Sequence, residues 1–379
     1  MRVGFVSTYP PIECGIATYT QYLTEALREA QVDTYIVGHL GGAGPRVFPV
    51  FDYEDENLAE RAFSAMMRLT PDVVHVQHEF GLFGRHYGVN AVPLLIKFRL
   101  IGVPVVVTLH TVYARIEPAH RILLENLLTN ADAAIVHEPY QREALHQAFG
   151  GRFDAKLHVI PHGARIVDPD PQARRRLGLP DGRPILLMIG YFRPSKRFER
   201  IVDLFPRVVE RVPEALLVVA GKIRGKEFIE YREMLFERIR TSPVRDRIVL
   251  IRGQLAQDTF DRILSAADVV ALPYEINAQS GILAHCLAFG RPVVASATES
   301  MRRALDDSGG GVTCSTDDEF VEAIAGLLRD PARRRECGEA ARRYVRERIG
   351  WPKVAQEHLA LYRRLTGYEA IEPNVLVVD

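Results

Sequence analysis

The feature that most constrains this chain is an alternation along its whole length, in which short runs of Val, Ile and Leu are each followed by a longer amphipathic stretch. A strand buried on both faces reads as a continuous apolar run, and the chain must then cross back over the sheet. The pattern therefore predicts parallel sheets covered by helices on both sides. Six runs, at 3–7, 34–38, 73–77, 103–109, 133–137 and 157–160, are separated by helical stretches near 17–30, 56–69, 87–101, 117–130 and 138–149. They make one doubly wound domain. Residues 161–184 break the rhythm with five prolines and repeated Asp and Gly, the composition of a linker. A second set, at 185–189, 216–220, 248–252, 269–272, 292–295 and 311–313, alternates with helical stretches near 196–212, 226–240, 256–267, 280–289 and 317–329. The fold class is α/β with two similar domains, 1–163 and 164–349, and a length of 379 residues suits two domains of about 150 each. In the last helical stretch Trp351, Val354, Ala355, His358, Tyr362 and Leu365 form one apolar stripe. Spacing alone leaves two berths for it, capping the second domain or returning to the first. Residues 350–379 are assigned to return, with 367–379 as a fraying tail or an edge strand.

Lys plus Arg and Asp plus Glu both total 48, which removes the basic footprint of a nucleic-acid-binding protein. Residues 1–163 hold 13 basic and 17 acidic side chains, leaving 35 and 31 for 164–379. The acidic first domain argues against a polybasic face on anionic lipid, although a local patch for peripheral membrane contact stays open. No apolar run reaches the roughly eighteen residues needed to cross a bilayer, and the stretch before Pro10 is too short for a secretory signal. Cys14, Cys286, Cys314 and Cys337 show neither CxxC pairing nor a disulfide framework, so a reducing, cytoplasmic setting is expected.

Open parallel sheets bind ligands beyond the carboxyl ends of their strands. After the first run, Gly15 stands just ahead of a helix, where it serves either as an anion site or as part of a Pro-rich turn. His110 follows the fourth run, VVVTL. His75, His78 and Glu79 have the letters of a metal cluster, but His75 and His78 point to opposite faces of a strand and a third strong ligand is missing, so no metal is expected. In the second domain IGYFRPSKRFE sets Arg193 and Lys196 before a helix. A guanidinium fork and a compact ammonium suit a diphosphate, and a solvated basic patch is the alternative. In ALPYEINAQSGILAHCLAFG, Ser280 and Gly281 open a helix whose amides suit phosphate or ribose, and Asn277, Gln279 and His285 offer uncharged polar groups. GGAG at 41–44 lacks the spacing of a dinucleotide fingerprint.

Taken together these loops resemble retaining glycosyltransferases of the GT-B fold, in particular family 4, over nearly the whole chain. The resemblance rests on Cys14-Gly15 after the first strand, His110, the Pro161 to Gly163 crossover, the basic loop and the segment ending at Gly290. It implies two facing Rossmann-like domains with a central cleft, a nucleoside-diphosphate sugar held by the second domain and an acceptor approaching from the first. Arg193 and Lys196 would neutralise the departing diphosphate, and His110 would contact the transferred sugar. Gln254 and Leu255 would hold the base through backbone groups, and Gly15 would let its loop close on the phosphates. Where the family has two glutamates in a Glu-x7-Glu segment this chain has Asn277 and His285, with Gln279-Ser280-Gly281 resembling a variant form. The arginine that usually follows the glycine directly is replaced by Tyr191, with Arg193 two positions later.

The resemblance implies a metal-independent, retaining hexosyltransferase that needs no cofactor. Its donor would be UDP- or GDP-linked and its acceptor an unspecified hydroxyl. Two rival readings are a GT-B-like sugar-nucleotide epimerase and a noncatalytic sugar-nucleotide-binding protein or partner subunit, the latter motivated by the two missing carboxylates.

Overall fold

The computed structural model describes residues 1–222, 228–253, 255–275 and 281–368. The chain divides into two compact units, one comprising Met1–Gly163 together with the chain from Trp351 onward, the other Ala164–Gly350.

The first unit holds seven parallel strands, β1 (Arg2–Ser7), β2 (Asp33–His39), β3 (Val47–Phe51), β4 (Val73–His78), β5 (Val105–Leu109), β6 (Ala133–Val136) and β7 (Leu157–Val159), in the spatial order β3-β2-β1-β4-β5-β6-β7. The order reverses between β1 and β4, so their carboxyl ends flank the crevice where such sheets bind ligands. β3 has no counterpart among the six expected runs. It is an edge strand, VFPVF, with Pro49 in its middle and Phe48 and Pro49 exposed. The run is apolar throughout, but proline removes a ladder N–H and demotes a run to an edge strand or to no strand, so VFPVF does not read as one of the buried strands.

The second unit holds six parallel strands, β8 (Ile185–Tyr191), β9 (Leu216–Lys222), β10 (Ile248–Arg252), β11 (Val269–Leu272), β12 (Val293–Ser296) and β13 (Gly311–Cys314), in the order β10-β9-β8-β11-β12-β13. Its reversal lies between β8 and β11. Two helices not expected from periodicity complete it, Glu299–Ser308 and Pro331–Tyr344. The latter buries only Gly338 and Ala341, too little to show an apolar stripe, and it is fixed by Asp330, whose carboxylate accepts from the amides of Ala332 and Arg333.

Each sheet is buried on both faces. In the first unit Val6, Val37, Val74, Val107 and Leu109 face one core, and Val3, Phe5, Ile36, Val73 and Val106 face another. The helix Trp351–Thr366 lies in the second of these, where Trp351, Val354, Ala355, Leu359 and Tyr362 meet Tyr19, Leu23 and Leu27 of the helix Gly15–Glu29. Gly163 makes room for it, since a Cβ there would stand 2.3 Å from two ring carbons of Trp351.

The proline-rich stretch is irregular except for one turn of helix at Ala173–Arg176. It is strapped to the second unit by arginine. Arg165 forks onto Asp261 at 2.9 and 2.5 Å, and Arg174 reaches Asp268 at 2.6 Å and the Ala266 carbonyl at 3.0 Å. Bidentate guanidinium–carboxylate geometry holds a segment that proline denies regular hydrogen bonding. The single helix expected near 87–101 is two pieces, Arg85–Gly88 and Ala91–Leu100. Between Gly84 and Gly88 the backbone turns left-handed, with His86 at φ 56° and Tyr87 at φ 61°.

Candidate active site

In the second unit the loop after β8 delivers the basic pair. Arg193 leads into one turn of 3-10 helix, Pro194–Lys196, and Arg197 then turns left-handed at φ 49° to start the helix Phe198–Arg211. The loop after β11 closes against it, with the amide of Glu275 donating to the Ser195 carbonyl at 3.4 Å and the Glu275 carboxylate paired with Arg197. This crossing brings Lys196 to Tyr274, the ammonium standing 3.4 Å from the ring centroid. A cation over an aromatic face is held by the ring quadrupole. Burial, reinforced by the charge of Arg193, pulls the Lys196 amine down to about 7. Arg193 itself is exposed, with no carboxylate partner among the described residues.

A backbone amide at the start of the following helix, which could otherwise meet an anion, is already taken. Phe198 N–H donates to the Tyr231 hydroxyl at 3.0 Å, which in turn donates to Glu199 at 2.7 Å. The positive character of this loop therefore comes from its side chains more than from the helix end. The backbone opens elsewhere, because Gly190 and Gly253, at the ends of β8 and β10, sit at φ 146° and 135° with nothing within 4 Å of where a Cβ would stand. Gly281 is equally open at the start of the helix Gly281–Ala288. His285, on that helix, lies edge-on to Phe260 at 5.1 Å. Leu255 is buried in the core. Gln254, Asn277, Gln279 and Ser280 lie outside the described residues.

In the first unit Gly15 is the first residue of its helix, no side chain caps that end, and a Cβ on Gly15 would meet nothing within 4 Å. Its first-turn amides are thus the kind that bind anions. His110 follows β5 but does not present free nitrogens. Its Nε2 lies 2.8 Å from the Gln77 amide and its Nδ1 3.3 Å from His137 Nε2. His137 Nδ1 donates to the Ile160 carbonyl at 3.0 Å, so a neutral His137 accepts from His110 Nδ1–H. His110 Nε2 must then accept, which requires Gln77 to turn its NH2 toward it and its carbonyl toward His75. His75 completes the chain, with Tyr362 O–H at 2.6 Å on one nitrogen and Thr108 at 2.7 Å on the other.

Burial drives every one of these rings toward neutrality. His137 is pulled down to about 3, His78, His162 and His358 to about 4, and His75 and His110 well below the ordinary histidine value. His75 and His78 do face opposite sides of β4, His75 toward Phe5 and Tyr362 and His78 toward Phe83. Among the described residues no group of three or more His, Cys, Asp or Glu is placed to hold a metal, and no helix is long and apolar enough to cross a membrane.

Tyr274 and Gly253 escaped the sequence reading. A glycine directly after the apolar run at 248–251 is the available signal for Gly253. Nothing local marks Tyr274, whose role depends on a contact 78 positions away in the chain.

Comparison with known proteins fits this architecture. Residues 14–166 match Glycosyltransferase Family 4, and residues 169–344 match Glycosyl transferases group 1. A D-inositol 3-phosphate glycosyltransferase of Kineococcus radiotolerans is 28% identical over 343 residues, covering 82% of this chain and 77% of its own. The structure of sucrose-phosphate synthase from Thermosynechococcus elongatus superposes with a TM-score of 0.78 at 20% identity, covering 97% of this chain and 99% of that one. Anabaena HepE in complex with UDP superposes at 0.76 and 15% identity, covering 96% and 100%. HepE has also been solved with UDP and glucose and with UDP-glucose. With adjoining family matches running from residue 14 to residue 344 over two doubly wound parallel sheets, the chain belongs to the GT-B glycosyltransferases of the family 4 kind.

Proposed function

We propose that the protein is a retaining, metal-independent glycosyltransferase that moves a hexose from a nucleoside-diphosphate sugar to an alcohol acceptor. The observation that carries this reading is Lys196, a half-buried amine poised near neutrality over Tyr274, beside exposed Arg193 at the reversal point of the second sheet. When the glycosidic bond breaks, the diphosphate gains negative charge, and cations already in position stabilise that state most. Lys196 is a soft switch for this purpose, since an incoming diphosphate raises its proton affinity and makes it the ammonium the leaving group needs. Arg193 adds a permanent fork. With that charge met by side chains, a divalent cation at the diphosphate is superfluous.

The acceptor hydroxyl attacks on the face from which the diphosphate departs. The bond from the anomeric carbon to the diphosphate oxygen breaks, the bond to the acceptor oxygen forms, and the leaving phosphate oxygen takes the hydroxyl proton, so configuration is kept. In the first unit the uncapped amides at Gly15 suit an anion, and His110, its nitrogens engaged, offers a ligand its ring edge. By the resemblance Gln254 and Leu255 would hold the base through backbone groups, and Asn277, Gln279, Ser280, Gly281 and His285 would serve the sugar and ribose. The UDP and UDP-glucose complexes of HepE support a nucleoside-diphosphate hexose as donor, and the name of the curated relative supports glycosyl transfer.

Incubation with UDP- and GDP-hexoses in EDTA, with simple alcohols and sugars as acceptors, tests the reading. At least one donor is expected to be consumed, giving a product with the donor's anomeric configuration. An inverted product, or no consumption, contradicts it. Conversion of a donor to an isomeric sugar nucleotide without acceptor would make the protein an epimerase, and binding without turnover would make it a sensor.

A further inference from the structure

The loops after β4 and β5 carry a group of rings that the donor chemistry does not use. Phe80, Tyr113 and Tyr87 surround His120, at centroid distances of 4.4, 5.4 and 4.6 Å, and Phe80 and Tyr113 lie nearly parallel at 9°. Tyr87 and Tyr113 are 49% and 40% exposed, so the cluster is a surface wall and not core. Beside it Glu79 is mostly buried, held by Thr111 Oγ1–H at 2.6 Å and by the amide of Phe80 at 3.1 Å. Burial raises its carboxyl, and its charge contributes to raising the Tyr113 phenol, so carboxylate and phenol are near neighbours.

Tyr87 reaches this wall only through the left-handed stretch at Gly84–Gly88, in which two consecutive non-glycine residues, His86 and Tyr87, have positive φ. Each costs about 1–2 kcal/mol. Strain of this kind persists where the surroundings hold it for a purpose. Burial does not supply that purpose here, because the ring it positions remains half in solvent.

We propose that Phe80, Tyr87, Tyr113 and His120 form a stacking wall for an uncharged pyranose ring, with Glu79 accepting from a ring hydroxyl, and that this is the acceptor subsite. The inference rests on the glycosyltransferase reading above and names its acceptor class, a neutral sugar. Aromatic faces take the C–H face of a sugar, and a recessed carboxylate takes its hydroxyl, the mixture of apolar wall and few polar groups that orients a small ligand. A phosphorylated acceptor would need free cations. Arg85 is paired with Glu54 and Arg121 is bonded to the Ala148 carbonyl, while a carboxylate stands at the wall itself. Arg115 is exposed two residues after Tyr113 and is the group such an acceptor would use.

Saturation-transfer NMR on the full chain, with methyl glucoside, methyl galactoside, methyl mannoside and myo-inositol 1-phosphate as probes, tests this. At least one neutral glycoside is expected to bind, at least tenfold more weakly in Tyr113→Ala, near wild-type strength in Tyr113→Phe, and unchanged in Arg115→Ala. The proposal is overturned if no neutral glycoside binds, if Tyr113→Ala leaves binding intact, or if inositol phosphate binds more tightly and Arg115→Ala removes it. Thermal melts of each variant exclude unfolding as the cause. Hydrolysis of UDP- and GDP-hexoses by the same samples separates the two readings: donor turnover without glycoside binding sinks this inference alone, and glycoside binding without use of any of these donors sinks the donor assignment.

Discussion

Lys196→Ala is expected to lower kcat/KM for the donor by about 2 kcal/mol or more, roughly thirtyfold or greater, because it removes a cation where the leaving diphosphate develops charge. The pH dependence of the wild type is the sharper signature. With the free amine pulled down to about 7 by burial and by Arg193, the cationic form is lost as pH rises through neutrality. kcat/KM should therefore fall about tenfold per pH unit on the alkaline side. Lys196→Ala abolishes that limb along with most of the rate. Lys196→Arg carries a guanidinium that does not titrate, so its profile should be flat to pH 9 at whatever rate its geometry allows. The stability consequence has the opposite sign. A lysine with a depressed folded pKa costs stability, fully so below about 7 and vanishingly above the ordinary lysine value. Lys196→Ala should thus melt no lower than wild type at pH 6.5, a result that a merely structural lysine would not give. An unchanged kcat/KM in the alanine variant would remove Lys196 from the mechanism.

The second large effect is acid unfolding of the first unit. His75, His78, His137 and His358 are buried there, His110 and His162 are partly buried, and all six are held below the ordinary value. In the unfolded chain each takes up a proton near pH 6.5, whereas in the folded unit all six resist it, His78, His162 and His358 to about pH 4 and His137 to about pH 3. Stability is therefore present above 6.5 and lost as pH falls. By pH 5.5 the loss is about 1.4 kcal/mol for each of those four rings and about 6 kcal/mol for the four together, comparable to the whole stability of a domain. The second unit contains a single histidine, His285, and is spared this term. Trp351, the chain's one tryptophan, lies in the core of the first unit and reports on it alone. Its emission should shift to the red between pH 6 and 5 while part of the helical circular dichroism signal survives. Emission unchanged down to pH 4 would show that the rings are not buried as a neutral network.

What the sequence made legible follows from what burial writes into it. Strands covered on both faces, such as β1, β5 and β8, are uninterrupted apolar runs and were placed to within a residue or two. β3 is apolar too, but Pro49 at its centre speaks against a strand, and only its place at the sheet edge accommodates it. The helix Pro331–Tyr344 is mostly arginine, glutamate and alanine, and its cap at Asp330 is a better signal than its periodicity. The positive charge of a loop is legible from residue type alone, as with Arg193 and Lys196. Loop chemistry was not legible where function comes from a distant partner. The parking of Lys196 over Tyr274 depends on two loops meeting, and the engagement of both His110 nitrogens depends on Gln77 and His137 from neighbouring strands. The left-handed turn that carries Tyr87 was read as continuous helix, because Gly-Arg-His-Tyr-Gly does not announce positive φ at the two central residues.

The most direct measurement is a structure of the protein with a bound UDP- or GDP-hexose that it turns over. The account predicts diphosphate oxygens within hydrogen-bond reach of Lys196 Nζ and of the Arg193 guanidinium, with the ammonium drawn off the Tyr274 ring toward them. A diphosphate bound elsewhere, with Lys196 still seated on Tyr274, would contradict it.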